Sequence, residues 1–123
     1  MQIKADKPEI REHVLQKAAE FFATRGVKGW NTADLARETG LAKNTLYKII
    51  GSKENLARQV VMEQIKATTD LLNRIIQEEG DYTGAAKRIF REGSAFLTRR
   101  PRVTMNELFI EYPAIERDVL AYQ

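Results

Sequence analysis

Residues 43–48, Lys-Asn-Thr-Leu-Tyr-Lys, carry the side chains that a nucleic-acid-binding surface needs. Lysine and asparagine can hydrogen-bond to the edges of base pairs, and the threonine methyl group suits that of thymine. Tyrosine and lysine can equally donate hydrogen bonds to phosphates, which fix the register of a protein on a duplex without reading its sequence. Leu46 is expected to anchor the segment to the protein. The candidate DNA contacts in this segment are Lys43, Asn44, Thr45, Tyr47 and Lys48.

A helix-turn-helix over residues 31–50 is the element predicted to present these side chains. A second helix of about Thr32–Thr39 is capped by Asn31, with Asp34 in the reciprocal capping position. Gly40 supplies the left-handed residue that turns the chain. The third helix, about residues 43–49, is the recognition helix, because a motif of this kind places its second helix in the major groove of DNA.

Two helix starts beside this motif offer exposed amide groups, which attract phosphate. One is the start of the second helix, with Asn31 and Thr32. The other is the start of a fourth helix, which Ser52 caps and which carries Lys53 in its first turn. We therefore predict phosphate contacts from Asn31, Thr32 and Lys53.

The whole chain reads as helix, since apolar residues recur at helical spacing and alternating strand patterns are absent. The fourth helix, reaching about Glu79, would be about 40 Å long, enough to join a small DNA-reading head to a second helical body. Residues 79–84 are expected to break the chain before a fifth helix, and Pro101 to break it again. The remaining helices are expected at about Pro8–Thr24, Gly84–Arg99 and Val103–Ile110, with a seventh starting after Pro113.

Composition excludes several classes of site. The chain has 123 residues, no cysteine and one histidine, His13, so thiolate or histidine metal sites and histidine-dependent triads are excluded. Glu107 and Glu111 lie one turn apart but lack supporting ligands, and we expect them to be solvated. Residues 1–58 carry 11 lysines and arginines against 7 acids, so the basic excess lies in the half that contains the helix-turn-helix. Without a signal peptide or a long apolar run, a cytoplasmic location is expected, with no membrane partner.

These motifs, in this order, resemble the TetR-type transcriptional regulators (TetR/AcrR type). The matching stretches are VLQKAAEFFATRG and NTADLARETGLAKNTLYKIIGSKENL, and the resemblance covers residues 8–68. Residues 69–123 agree only in being helical. The residues that match the family pattern are Phe22, Gly26, Thr32, Leu35, Ala36, Gly40, Thr45, Leu46, Tyr47, Ser52, Lys53, Glu54 and Leu56.

The chain departs from the family pattern at three places in the recognition helix. Ala42 replaces the usual Ser or Thr cap, a loss that costs about 1 kcal/mol locally. Asn44 replaces a frequent glycine. Ile49-Ile50 replaces a Tyr-Phe pair, and the resemblance implies that a phosphate contact is lost at Ile49.

The resemblance implies an all-α homodimer that binds double-stranded DNA at a palindromic operator and usually represses transcription. Residues 8–68 would be the DNA-binding domain. Residues 69–123 would be part of a helical effector-binding and dimerisation body, which we expect to be incomplete in this chain. A small, often apolar, effector would bind in that body and change the separation of the two heads; no cofactor or metal is implied. The candidate effector contacts are Phe90, Phe96, Met105 and Phe109.

Other interpretations remain open from the sequence alone. Residues 31–50 can form an ordinary helical hairpin in an adaptor protein without DNA affinity, a hypothesis supported only by Ala42 and Ile49. Asn44 can serve as a cap, and the four aromatic and methionine side chains can be plain core. An enzyme is poorly supported, because scattered carboxylates are the main candidates for chemistry.

Overall fold

The structure is a computed structural model that describes residues 8–99 and 103–122. These residues form α-helices joined by short connections, and none of them lies in a strand, which confirms the all-α prediction. Pro101, the expected break before the sixth helix, lies outside the described residues. The helices are α1 (Pro8–Arg25), α2 (Thr32–Thr39), α3 (Lys43–Ile50), α4 (Lys53–Glu78), α5 (Tyr82–Arg99), α6 (Met105–Glu111) and α7 (Pro113–Ala121).

One hydrophobic core joins α1, α2, α3 and the first half of α4, which we call the head. The helices α6 and α7 fold back onto the same core and contribute Leu108 and Ile115. Burial of this apolar surface is the main force that assembles the helices. The core residues with at most 2% of their surface exposed are Val14, Ala18, Phe22, Leu35, Leu46, Ile50, Leu56, Ala57, Val60, Val61, Leu108 and Ile115.

Trp30, in the loop between α1 and α2, is the aromatic centre of the head. Its ring meets Phe21 and Phe22 edge to face, with ring centres 5.2 Å and 5.0 Å away, a geometry that aromatic pairs prefer. Its indole N–H donates to the carbonyl oxygen of Gly26, 2.9 Å away. The buried ring therefore holds the loop between α1 and α2 against the end of α1.

Lys53 holds this loop from the side of α4. Its ammonium donates to the carbonyl oxygens of Val27 and Trp30, the latter 2.6 Å away, and lies 4.2 Å from the centre of the Trp30 ring. Desolvation lowers the pKa of Lys53, while Glu111 and Asp34 act in the opposite direction. Lys53 is therefore partly buried and bonded inside the protein.

The turn between α2 and α3 depends on a left-handed glycine, as the sequence predicts. Gly40 has a φ of 75°, and its N–H points back to the carbonyl oxygens of Ala36 and Arg37 at the end of α2. At the end of α3, the side-chain amide of Asn55 donates to the carbonyl oxygen of Ile50, 2.7 Å away. The turn before α3 and the end of α3 are therefore both held by hydrogen bonds from residues close in the sequence.

The second half of α4 and α5 form an antiparallel hairpin. Asp81 accepts the N–H of Gly84 (2.6 Å) and so starts α5 at Tyr82, two residues earlier than predicted. Arg88 crosses between the helices to Glu78, 2.9 Å away, and also bonds Glu92 on its own helix. None of the residues of α5, Tyr82–Arg99, is buried.

Contacts from α6 and α7 reach the head at three points. The carboxylate of Glu107 accepts the N–H of Val27 (2.8 Å), and Glu111 lies 3.5 Å from Lys28. On α7, Asp118 pairs with Arg58 of α4 at 2.6 Å. Although Glu107 and Glu111 are exposed, both are bonded to the loop that contains Trp30, which the sequence did not indicate. Within the described residues, no helix has the length and apolarity that a membrane span requires.

Gly40→Ala is expected to destabilise the head by about 1 kcal/mol, because an L-residue pays that cost in the left-handed region. A Cβ at this position meets no atom within 4 Å, so the cost is conformational and not steric. Gly40→Asn, which tolerates this conformation, is the control and should cost less. Equal urea midpoints for the two variants would contradict this account of the turn.

Lys53→Met is expected to lower the free energy of unfolding by about 2 kcal/mol, since it leaves two carbonyl oxygens without their donor. Lys48→Met is the matched control: it removes the same charge from an exposed position on α3 and should leave stability unchanged. Urea denaturation of both variants measures the difference. A Lys53→Met variant as stable as Lys48→Met would show that the internal bonds of Lys53 contribute nothing.

Candidate nucleic-acid interface

The helix α3 has one buried side and one exposed side. Leu46, Ile49 and Ile50 are 0%, 4% and 0% exposed and seat the helix on the core. The burial of Ile49 places this position inside the protein, so our interpretation of it as the site of a lost phosphate contact does not fit the geometry. Of the five predicted contacts on α3, four are exposed and Thr45 is partly exposed: Lys43, Asn44, Thr45, Tyr47 and Lys48.

Tyr47 links the recognition helix to the start of α2. Its hydroxyl lies 2.7 Å from the hydroxyl of Thr32, a hydrogen bond in which either oxygen can be the donor. The ring remains 45% exposed. Two residues that were predicted separately as DNA contacts are therefore neighbours, and their hydroxyl groups form one polar edge beside α3.

Asn31 caps α2 through a complete capping box, which confirms the predicted cap. Its side-chain oxygen accepts the N–H of Asp34 (2.9 Å), and the Asp34 carboxylate accepts the N–H of Asn31 (2.9 Å). The second bond lowers the pKa of Asp34 below its ordinary 3.8. The carboxylate thus contributes stability at pH above 3.8, and this contribution is lost as the pH falls through the lowered value. The amide NH2 group of Asn31 lies outside the capping box.

The start of α3 has no side-chain cap, because Ala42 has no polar side chain. The amide groups of the first helical turn therefore lack this partner and can meet water or an anion. Lys43 and Asn44 are exposed at the same end. This combination of amides, a cation and an amide side chain is suited to a negatively charged polymer.

Lys53 is oriented differently from the other predicted contacts. Two carbonyl oxygens already take hydrogen bonds from its ammonium, which has three hydrogens to donate. The phosphate contact of Lys53 stays a prediction, and only the third hydrogen of the ammonium is available for it. The partners of Lys53 lie 26 and 23 positions away in the sequence. No local sequence pattern therefore distinguishes Lys53, which is bonded inside the protein, from the exposed Lys48.

The four predicted effector contacts lie in different environments. Met105 and Phe109 of α6 pack against the core of the head. Phe90 on α5 is 80% exposed, and Phe96 is partly exposed. A surface groove of about 570 Å³ is lined by residues of α1 and α4 and by Arg99 of α5, and none of these four side chains lines it. An effector-binding role for them stays a prediction.

Comparison with known proteins finds that part of the head is similar to a known family. Residues 14–60 match the model of the bacterial regulatory proteins of the tetR family, and these residues include α2, α3 and the start of α4. No solved structure gives a significant match to this chain.

Relatives extend the match beyond the head. YezE, an uncharacterised HTH-type transcriptional regulator of Bacillus subtilis (strain 168), is 29% identical over 80 residues, which are 65% of this chain and 41% of that protein. The nucleoid occlusion factor SlmA of Vibrio campbellii is 28% identical over 99 residues, 80% of this chain and 50% of that protein. The SlmA of Shewanella frigidimarina is 29% identical over 102 residues, 81% and 52% respectively.

The chain spans about half the length of these relatives. The matched residues include the buried anchor of α3, the left-handed turn at Gly40 and the exposed polar side of α3. The relatives are named as regulators or as a nucleoid factor, which agrees with a family that binds DNA. Over residues 14–60, this chain is therefore similar to the bacterial regulatory proteins of the tetR family.

Proposed function

We propose that this chain is a sequence-specific transcriptional regulator, a ligand-responsive repressor, that inserts α3 into the major groove of its operator. The observation that carries the proposal is the two-sided character of α3. Its apolar residues are seated in the core, while lysine, asparagine and tyrosine side chains face outward. An anchored helix with a polar outer side is what base reading in a groove requires.

Each exposed side chain has a role in this proposal. Lys43 and Asn44, at the start of α3, read base edges. Tyr47 and Thr32, joined by their hydroxyl groups, and Lys48 bind phosphates on either side of the groove and fix the register. Thr45 lies between the two groups and contacts a thymine methyl group.

The regulator would act as a homodimer on a palindromic site. Two heads then meet successive major grooves about 34–36 Å apart. An effector in the body, residues 69–123, would change this separation. The contacts that support such coupling are Glu107 with the N–H of Val27, and Asp118 with Arg58, because a displacement of α6 or α7 pulls on the loop before α2 and on α4.

A second candidate function is suggested by the names of several relatives. The SlmA proteins of Vibrio and Shewanella, called nucleoid occlusion factors, match about four fifths of this chain. The same DNA-reading head would then serve nucleoid occlusion in place of transcriptional control. Mapping of bound sites together with transcript levels distinguishes the two functions, since a repressor controls the genes beside its sites.

Selection of bound duplexes from a random pool tests the proposal directly. We expect enrichment of one palindromic sequence whose half-sites lie about one helical turn apart, as a symmetric pair of heads requires. If duplexes were retained without enrichment of any sequence, sequence-specific reading would be contradicted. If no duplex were retained at all, the result would favour the adaptor hypothesis.

Lys43→Ala or Tyr47→Ala is expected to weaken operator binding by roughly tenfold to a hundredfold, through loss of a base contact at Lys43 or of a phosphate contact at Tyr47. Helicity should stay unchanged and the melting temperature should change little, because Lys43 is exposed and Tyr47 loses only a solvent-exposed hydrogen bond to Thr32. Lys66→Ala is the control: it removes the same charge from an exposed position on α4 and should leave affinity almost unchanged. Fluorescence anisotropy at several salt concentrations gives the affinities, which should fall steeply with salt as counterions are released. Wild-type affinity in both α3 variants would show that the recognition helix is assigned wrongly.

A further inference from the structure

The peptide group between Trp30 and Asn31 is bonded on both sides by charged side chains. Its carbonyl oxygen accepts a hydrogen bond from the ammonium of Lys53, 2.6 Å away. Its N–H, which belongs to Asn31, donates to the carboxylate of Asp34, 2.9 Å away. Hydrogen bonds to charged groups are stronger than those between neutral groups. We call this arrangement of Lys53, the peptide group and Asp34 the peptide clamp.

The two charges of the peptide clamp support each other. A cation at the carbonyl oxygen and an anion at the N–H polarise a peptide group in the same direction, and hydrogen bonds in series strengthen one another. Desolvation lowers the pKa of Lys53, and Glu111 and Asp34 act against this lowering. Asp34 thus favours the charged form of Lys53 across the peptide group that both of them bind.

The peptide clamp lies directly before the residues that we expect to meet DNA. Asn31 follows the clamped carbonyl with an extended backbone (φ −128°, ψ 173°) and caps α2. Thr32 comes next, as the first residue of α2, and its hydroxyl lies 2.7 Å from the hydroxyl of Tyr47. The orientation of one peptide group therefore decides where the paired hydroxyl groups of Thr32 and Tyr47 lie.

Lys53 is directed into the protein, unlike the exposed Lys48 of α3. Besides the oxygen of Trp30, its ammonium binds the carbonyl oxygen of Val27, and the ring of Trp30 lies 4.2 Å from it. A move of the ammonium to a phosphate would leave both carbonyl oxygens without this donor. That loss costs free energy, which a phosphate contact would have to offset.

We propose that Lys53 and Asp34 are positioning residues for DNA reading, and that Lys53 contributes no phosphate contact. Through the peptide clamp they hold Thr32 and Tyr47 in the place from which the two hydroxyl groups meet the duplex. Lys53 then stays on its carbonyl partners when the operator is bound. The proposal replaces the phosphate contact that we predicted for Lys53 from the start of α4. It rests on the proposed function, because it assigns roles within the same DNA-reading surface.

The salt dependence of operator binding separates a positioning lysine from a phosphate-binding lysine. Loss of one phosphate contact lowers the slope of log affinity against log salt by about one. Lys53→Met should weaken binding about tenfold, the effect of one hydrogen bond to a charged group, and should leave this slope unchanged. The matched control Lys48→Met should lower the slope by about one, since we assign Lys48 to a phosphate.

Both lysine variants are measured at a temperature at which circular dichroism shows them to be folded. A slope that Lys53→Met lowers as much as Lys48→Met does would overturn the proposal, because it would show a phosphate contact. Wild-type affinity in the folded Lys53→Met variant would overturn it as well, because a lysine that only stabilises the fold changes the melting temperature and not the affinity.

Asp34→Ala tests the other side of the peptide clamp, where positioning and simple electrostatics predict opposite results. The variant removes an acid from the head and releases Arg37, which Asp34 also binds, and both changes favour a polyanion. If the clamp positions Thr32 and Tyr47, the variant should nevertheless bind the operator about tenfold more weakly. The control Glu38→Ala removes an acid from an exposed position on the same helix and should bind at least as tightly as the wild type. Equal or tighter binding by Asp34→Ala would overturn the proposal.

A double-mutant cycle tests whether Lys53 acts through Tyr47. Tyr47→Phe removes only the hydroxyl that bonds Thr32. Changes within one hydrogen-bond network are not additive, whereas independent contacts are. Lys53→Met should therefore weaken binding less in the Tyr47→Phe background than in the wild type. Losses that add up would contradict a positioning role through this pair of hydroxyl groups.

Amide hydrogen exchange without DNA tests the peptide clamp independently of the proposed function. The N–H of Asn31 should exchange about tenfold faster in Lys53→Met than in Lys48→Met, because the clamped peptide group loses one of its two bonds. Equal exchange in the two variants would overturn the clamp and leave the proposed function intact. A wild-type chain that binds no duplex would reject the proposed function and, with it, the positioning role in DNA reading, whatever the exchange rates show about the clamp.

Discussion

The burial of Trp30 is the constraint on which the head depends. Its ring touches Phe21 and Phe22 of α1, its N–H closes the loop to Gly26, and Lys53 of α4 lies over its face. One side chain thus joins α1, the loop before α2 and the start of α4. Because α3 is seated between α2 and α4, the direction of its exposed side follows from the same arrangement. The polar residues of α3 are placed by these core contacts, to which Tyr47 adds its hydrogen bond to Thr32.

The same loop is where the head meets the rest of the chain. Lys53 binds its carbonyl oxygens from one helix, and Glu107 accepts the N–H of Val27 from another. The residue that follows Trp30 is Asn31, which caps α2 through its side chain. A change in α6 therefore has a short physical route to the start of α2, through the loop from Val27 to Trp30 and the cap that follows it. This proximity is the structural reason why regulation of DNA reading from the body is a reasonable hypothesis for this chain.

Much of the fold was predictable because its determinants are local. Asn31 with Asp34, the left-handed Gly40 and the Ser52 cap act within a few residues, so the sequence places α2, α3 and the start of α4 within one or two positions. The exposed side of α3 follows equally from helical spacing. Lys53 and Glu107 could not be assigned in this way, because their partners lie 23 to 80 residues away. The exposure of Phe90 is also a property of the assembled structure, since spacing shows only that a residue shares a side with others.

The hairpin of α4 and α5 is held very differently from the head. Inside the hairpin the buried side chains are Leu71 and Ile75, and Arg88 adds its carboxylate partners at the turn. Local opening requires little free energy where few apolar contacts are lost. The hairpin should consequently exchange its amide hydrogens faster than the head and unfold at a lower temperature. A molecule that binds the hairpin would reduce its conformational entropy. Such ordering can couple binding at the hairpin to binding at a distant site.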